Sequence, residues 1–363
     1  MVTNMENSLH LQYAFVPGEM LDPEIASRRI ALMKAAGVKT VWMTLYMYGT
    51  WSATKQEILQ AKTLLEKEGL EVQVAIVPVG HGTNSLLGDG GDPELPITWQ
   101  NRVNAQGQRV GLAACVNSPA MIKETREVVD QALELGFTKL FYDDDLRVGP
   151  WGPDLQGCFC PRCMQAFYHK YPQYSGMSGV EILENATEGD ALWQAWSDVQ
   201  CDQVLNFLEQ TIPEGMTPGI MVMHNGDRRH GVDIARIKQR FPNALFRIGE
   251  GHFDDNSYTH PLGKQAISHS IHAHLRELGS AQNAYSESTV YPENALSPEN
   301  LVDKLRLEIG CGLRNLFLMS GLFFLDDSYW IAIAKALPEL QALAQNAPAP
   351  ADSTPEDAMI WHL

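Results

Sequence analysis

PEIASRRIALMKAAGVKTVWMTLYM, residues 23–47, decides the fold. Ile25, Ile30, Leu32, Met33 and Ala36 recur at helical spacing; Pro23 opens the segment where a missing N–H is harmless, and Gly37 closes it. Residues 38–47 follow at once, rich in β-branched and aromatic side chains, and read as a strand. Helix handing directly to strand is half of a βα unit, and the pattern repeats in both directions. Upstream, residues 11–16 form a first strand. Downstream, a helix over 55–68 ends at Gly69 and a strand over 71–79 follows. A helix over 118–135, opened by Asn117-Ser118-Pro119, precedes a strand over 139–142. Strands are expected at 219–224, 244–249, 282–286 and 315–319, interleaved with helices around 234–241, 264–278, 298–309 and 327–343. Eight strands each followed by helix imply parallel pairing and closure into a single (β/α)8 TIM barrel of α/β class. An open doubly wound sheet would need a glycine-rich phosphate turn after the first strand, and Val16-Pro-Gly-Glu-Met20 is not one. The barrel is expected over 1–345, with long rim loops at 81–117 and 146–178. An Ala/Pro/Ser-rich C-terminal tail follows over 346–363.

Composition narrows the partners. The 363 residues carry 27 Lys plus Arg against 44 Asp plus Glu, a formal net charge of −17. Duplex binding needs a cationic surface, so no nucleic-acid partner is expected. No apolar run reaches the ~20 residues that span a bilayer, so no membrane partner is expected. The first residues lack a basic segment followed by an apolar one, which points to a cytoplasmic protein. A homo-oligomer is compatible with this composition.

In such a barrel, chemistry sits where strands end at their C-terminal side. Those ends carry Tyr46 after the second strand and Asp143-Asp144-Asp145 after the fourth. His224 follows the fifth, Glu250 and His252 the sixth, and Glu287 the seventh. Carboxylates from different strands beside aromatic planes are what glycosidic bond cleavage requires: one protonates the leaving oxygen, another attacks or activates water. Three consecutive Asp after an apolar strand raise at least one pKa by mutual repulsion, which suits a general acid. Asp143 serves equally well as a structural acceptor inside the barrel. Trp151, on a loop overhanging the rim, is a stacking residue; Trp42 reads as barrel filling. His269, His272 and His274 read as a solvated face of an outer helix.

Cys158-Phe-Cys160-Pro-Arg-Cys163 places three thiols within six residues. That spacing reads as metal ligation before disulfides, and tetrahedral Zn²⁺ needs a fourth ligand. Cys115 lies on the same rim; Cys201 and Cys311 read as small buried hydrophobes. Cys115, Cys158, Cys160 and Cys163 would close the shell, so this Zn²⁺ would be structural, pinning two rim loops together.

These residues resemble the zinc-binding segments of the family 42 glycoside hydrolases, retaining β-galactosidases on a (β/α)8 barrel. The likeness is carried by Cys115-Val-Asn-Ser-Pro119 and by the Cys158–Cys163 segment with Phe167 beyond it. Asp92-Pro-Glu-Leu-Pro96, Gly107-Gln-Arg109 and Gly310-Cys-Gly-Leu-Arg-Asn-Leu-Phe-Leu318 look similar too. The resemblance implies a carbohydrate substrate, Glu287 as nucleophile, Asp145 in the acid/base place and Asp144 in that of the preceding Asn. Neither Asp is the family's own residue, and Gly111 stands where an Arg would contact sugar. The reading is therefore a β-galactosidase-like glycosidase with altered substrate or mechanism. His224, Glu250, His252, Tyr46 and Trp151 are expected to contact the sugar with Asp144. Two alternatives stand beside it: a non-catalytic sugar-binding or regulatory barrel, and a working pair of Glu250 with Asp143.

Overall fold

The computed structural model describes residues 8–79, 98–143, 146, 148, 155–223 and 227–346. Eight parallel strands close on themselves: β1 (His10–Phe15), β2 (Val38–Met47), β3 (Glu71–Val77), β4 (Lys139–Tyr142), β5 (Thr217–Met223), β6 (Leu245–Gly249), β7 (Ala284–Tyr285) and β8 (Asn315–Met319). Each pairs with its neighbours in sequence, and β1 pairs with both β2 and β8, which completes the circle. The (β/α)8 barrel follows as expected. β7 is shorter than its predicted span, because the chain leaves the ladder at Ser286 and rejoins β8 through Ser288–Thr289.

Side chains alternate across each strand. One set points inward: Ala14, Trp42, Ala75, Phe141, Leu245, Tyr285 and Phe317 fill the barrel. Trp42 meets Phe141 edge-on at 4.7 Å between centroids, and its Nε1 donates to Gln12 Oε1 at 2.7 Å. Gly219 is required beside this cluster, since a Cβ there would lie 2.4 Å from Phe141. The other set, including Leu11, Tyr13, Val41, Met43, Val74 and Ile76, packs outward under the helices.

The helices begin where local chemistry starts them. Asp22 caps α1 (Pro23–Ala35) by accepting from the amides of Glu24 and Ile25, and Gly37 follows its C-terminus at φ +83°. Thr54 and Glu57 form a reciprocal capping box on α2 (Lys55–Lys67). Ser118 precedes α3 (Pro119–Glu134), but its Oγ accepts from Gln100 N–H at 3.0 Å and ties down the rim instead of capping the helix. Between β4 and β5 lie α4 (Pro161–Lys170), α5 (Gly179–Asn185) and α6 (Ala191–Thr211). Phe159, Phe167, Ile182 and Trp196 make a small satellite core there, with Phe159 stacked on Trp196 at 4.6 Å. Then come α7 (Ile234–Arg240), α8 (Asp255–Thr259), α9 (Gly263–Leu278), α10 (Pro298–Gly310) and α11 (Asp327–Asn346). Of the expected tail, all but Asn346 lies outside the described residues. Among those described, no helix is long and apolar enough to cross a membrane.

His272 and His274 depart from expectation. Both are buried under α9, with Nδ1 against the carbonyls of Ser268 and Ser270 at 2.7 Å; only His269 faces solvent. Ile267, Ile271, Leu275 and Leu278 define the core stripe of α9, and the two histidines flank it closely enough to be covered.

Candidate active site

The ends of β6 and β7 are locked together. Glu287 follows β7, is only 5% exposed, and accepts the N–H groups of Glu250 (2.7 Å) and Gly251 (3.0 Å) on Oε2. Glu250, at the end of β6, accepts the N–H of Glu287 on Oε1 at 3.1 Å. Behind them, Lys304 on α10 donates to the carbonyls of Gly251 and Glu287, each at 2.9 Å, and its Nζ lies 3.5 Å from Glu250 Oε2. Glu308, one turn further along α10, accepts the Ser288 hydroxyl at 2.7 and 2.9 Å and lies close enough to Glu250 for the two carboxyls to perturb each other. Burial, followed by the neighbouring Glu250 charge, pushes the Glu308 carboxyl well above the usual range. Burial also raises Glu250, against the opposing pull of Lys304.

A second polar link crosses the mouth. Arg247, inward-facing on β6 and 1% exposed, pairs with Asp143 Oδ1 from the end of β4. It also donates to Thr289 Oγ1 at 3.0 Å and lies over the Phe317 ring at 4.7 Å. Asp143 is thus a structural acceptor inside the barrel, tied to its own cation. With Glu250 wholly buried, the alternative pairing of Glu250 with Asp143 finds no support in this geometry.

The structure revises two of the expected sugar contacts. Glu250 has no exposed side-chain surface, because it turns back onto Lys304 and Glu308. Tyr46 packs outward against Trp51 and Trp99 at centroid distances of 5.7 and 6.5 Å, part of the layer between barrel and helices. Its position in β2 has the parity of Thr44 and Trp42, and a register shift between Thr44 and Tyr46 turns the strand end outward. His252 stays near the mouth, half-buried at φ +57°, with Nδ1 3.0 Å from Ser257 O. A side chain held in the left-handed region after a barrel strand stores strain of the kind found at functional sites. Asp144, Asp145, Trp151 and His224 lie outside the described residues.

Lys304 and Glu308 escaped the sequence reading. The available signal was their phase: Leu301, Lys304, Leu305 and Glu308 are spaced i, i+3, i+4, i+7, which puts both charges on the core stripe of α10.

The four cysteines converge as their spacing predicts. Cys115 follows the rim strand Arg109–Ala114, Cys158 and Cys160 lie before α4, and Cys163 is in its first turn. All four are buried and free, with their sulfurs within 4.8 Å of one another. Cys115 Sγ lies 3.5 Å from Cys163 Sγ and 3.8 Å from Cys160 Sγ. A disulfide needs ~2.05 Å, whereas four thiolates ~2.3 Å from one ion stand ~3.8 Å apart. Hydrogen bonding to Cys115 pulls Cys160 and Cys158 down, while contacts with Cys158 and Cys115 push Cys115 and Cys163 up, respectively. Asn117 Nδ2 donates to Cys163 Sγ at 3.4 Å, a support for a thiolate. The donor set fits a tetrahedral soft-metal site with no open position. Cys201 and Cys311 are buried elsewhere, as expected.

No protein-family model matches this sequence, and no curated protein matches it. Solved structures do resemble it in fold. The catalytic domain of β-amylase from Paenibacillus polymyxa matches at 12% identity and a TM-score of 0.57, over 94% of this chain and 99% of that one. A catalytic mutant of Gan42B, a GH42 β-galactosidase from G. stearothermophilus, matches at 14% identity and a TM-score of 0.59, over 94% of this chain and 58% of that one. The glycoside hydrolase domain of PgaB (BpsB) from Bordetella bronchiseptica matches at 14% identity and a TM-score of 0.56, over 94% and 98%. The chain thus spans under three-fifths of that β-galactosidase. At these identities the likeness establishes the (β/α)8 barrel.

Proposed function

We propose that this protein is a glycoside hydrolase that cleaves a β-linked galactoside-like or related saccharide with retention. The observation that carries the reading is Glu287: a carboxylate at the C-terminal end of β7, gripped by two backbone N–H groups and backed by a buried charged network. The three solved structures with the same barrel, all carbohydrate-cleaving by name, support the class. In this reading a Glu287 oxygen attacks the anomeric carbon while Asp145 gives its proton to the departing oxygen. Asp145 then takes a proton from water, whose oxygen displaces Glu287 and frees the sugar. Retention needs the two carboxyls ~5–5.5 Å apart. Asp144, Trp151, His224 and His252 contribute sugar contacts.

The four cysteines would hold Zn²⁺ in a structural role. It would supply no chemistry to the reaction and would fix the rim segment before Cys115 against α4, where Phe159 N–H already bonds Val103 O at 2.8 Å.

Hydrolysis of aryl glycosides and β-linked oligosaccharides, wild type beside Glu287→Gln, tests the reading. Turnover abolished in the variant is expected; equal turnover in both would refute it.

A further inference from the structure

We propose that Lys304, Glu308 and Glu250 form a buried positioning device for Glu287, in which one proton is shared between the two supporting glutamates. The inference rests on the nucleophile role given to Glu287 above and extends it to the residues behind the carboxylate.

Charge counting comes first. One ammonium, Lys304, faces two carboxyls, Glu250 and Glu308, and the Lys304 and Glu250 side chains have no exposed surface. Glu308 is likewise 0% exposed. Two ionised carboxylates, both fully buried beside a single ammonium, would leave an uncompensated buried charge costing several kcal/mol. A proton on one of them leaves a neutral acid, one carboxylate and one ammonium. Glu308 is the natural holder, since the Lys304 ammonium lies 3.5 Å from Glu250 Oε2 and so favours the charge on Glu250; this outweighs the Ser288 hydroxyl, whose donation to Glu308 favours the ionised form. The other titratable groups felt here are Glu287, whose charge further opposes ionisation of Glu250; Tyr258 on α8, whose hydroxyl donates to Asp303 at 2.7 Å; and the Cys311 thiol, the last two raised by burial. None of these supplies a compensating cation.

Geometry then gives the device its purpose. Lys304 donates to two backbone acceptors, Gly251 O and Glu287 O, and its ammonium faces Glu250 Oε2 across 3.5 Å as an ion pair. It therefore fixes the backbone of the residue proposed to attack and of one residue whose amide grips it. Glu250 completes the frame by accepting Glu287 N–H. Glu308, by donating its proton to Glu250, keeps that second carboxyl from turning toward Glu287. None of the three needs to touch substrate.

Three measurements test this. Infrared difference spectroscopy at neutral pH reads protonated carboxyl groups directly, whatever the protein's activity. Wild type minus Glu308→Gln is expected to show one protonated-acid band; no band overturns the shared proton. Glu308→Gln, which mimics the neutral acid, should fold with a thermal midpoint within a few degrees of wild type; a large loss of stability overturns the assignment of the proton to Glu308. Lys304→Met should lower kcat about 10- to 100-fold with KM nearly unchanged, the size expected for a nucleophile displaced by up to ~1 Å. A crystal structure of the Lys304→Met protein should show the Glu287 carboxylate off the Glu250 and Gly251 amides. An undisturbed carboxylate, or unchanged kcat in a folded Lys304→Met protein, overturns the positioning role. If wild type hydrolyses nothing, the glycosidase reading fails alone, and the spectrum and crystal structure still decide this one.

Discussion

Glu250 and Glu287 each accept the other's backbone N–H: Glu287 Oε2 takes that of Glu250 at 2.7 Å, and Glu250 Oε1 takes that of Glu287 at 3.1 Å. The exchange joins the ends of two adjacent parallel strands, β6 and β7, where their backbone ladder has ended. It fixes one carboxyl at the mouth and turns the other inward.

Glu287→Gln keeps an oxygen for the two amides, so its thermal midpoint should stay within a few degrees of wild type. Its turnover should fall by about a thousandfold or more, as for loss of an attacking group. Glu287→Ala should lose turnover and also about 1–3 kcal/mol of stability for each buried N–H left unpaired. Thermal melts beside rate assays separate the two effects.

Arg247 and Asp143 form a buried ion pair at 1% and 11% side-chain exposure. Removing one partner leaves a charge without its counterpart, so Asp143→Asn or Arg247→Met should each cost about 3–5 kcal/mol. The double variant should be less destabilised than the sum of the singles. Urea unfolding of all four proteins closes this cycle.

The cysteine cluster should contain one equivalent of zinc in purified protein by elemental analysis. Cys160→Ser should lower that content and the melting temperature together, and a strong chelator should reproduce the loss in wild type. Full stability with no metal bound would refute the structural zinc.

Asp198, on α6, offers a pH test. Burial alone would raise its carboxyl, but hydrogen bonds from Lys170, Tyr171 and Arg236 outweigh it and hold the group well below its ordinary value. A lowered folded-state pKa means stability fully present above the unfolded value of ~3.9 and lost as pH falls below it toward the folded one. Asp198→Asn should therefore be less stable than wild type at pH 6, with the gap narrowing toward pH 3 in chemical denaturation.

The barrel was legible because eight apolar strands alternate with amphipathic helices punctuated by Gly37, Gly69 and their like. The cysteine cluster was legible because thiol spacing has few other uses. Glu287 stood out as a strand-end carboxylate. Local pattern could not reveal which way each strand-end side chain turns: Tyr46 swings outward past a register shift, and Glu250 folds back onto α10. Lys304 and Glu308 look in sequence like an ordinary exposed i, i+4 pair; only their phase against Leu301 and Leu305 marks them as buried. His272 and His274 were misread for the same reason, being at the margin of an apolar stripe and covered by neighbours distant in sequence.

The most direct measurement is covalent trapping. Wild-type protein incubated with an activated 2-deoxy-2-fluoro β-glycoside should gain the mass of one fluorosugar, and peptide mapping should place it on Glu287. A label on another residue, or steady hydrolysis by Glu287→Gln, would contradict the account.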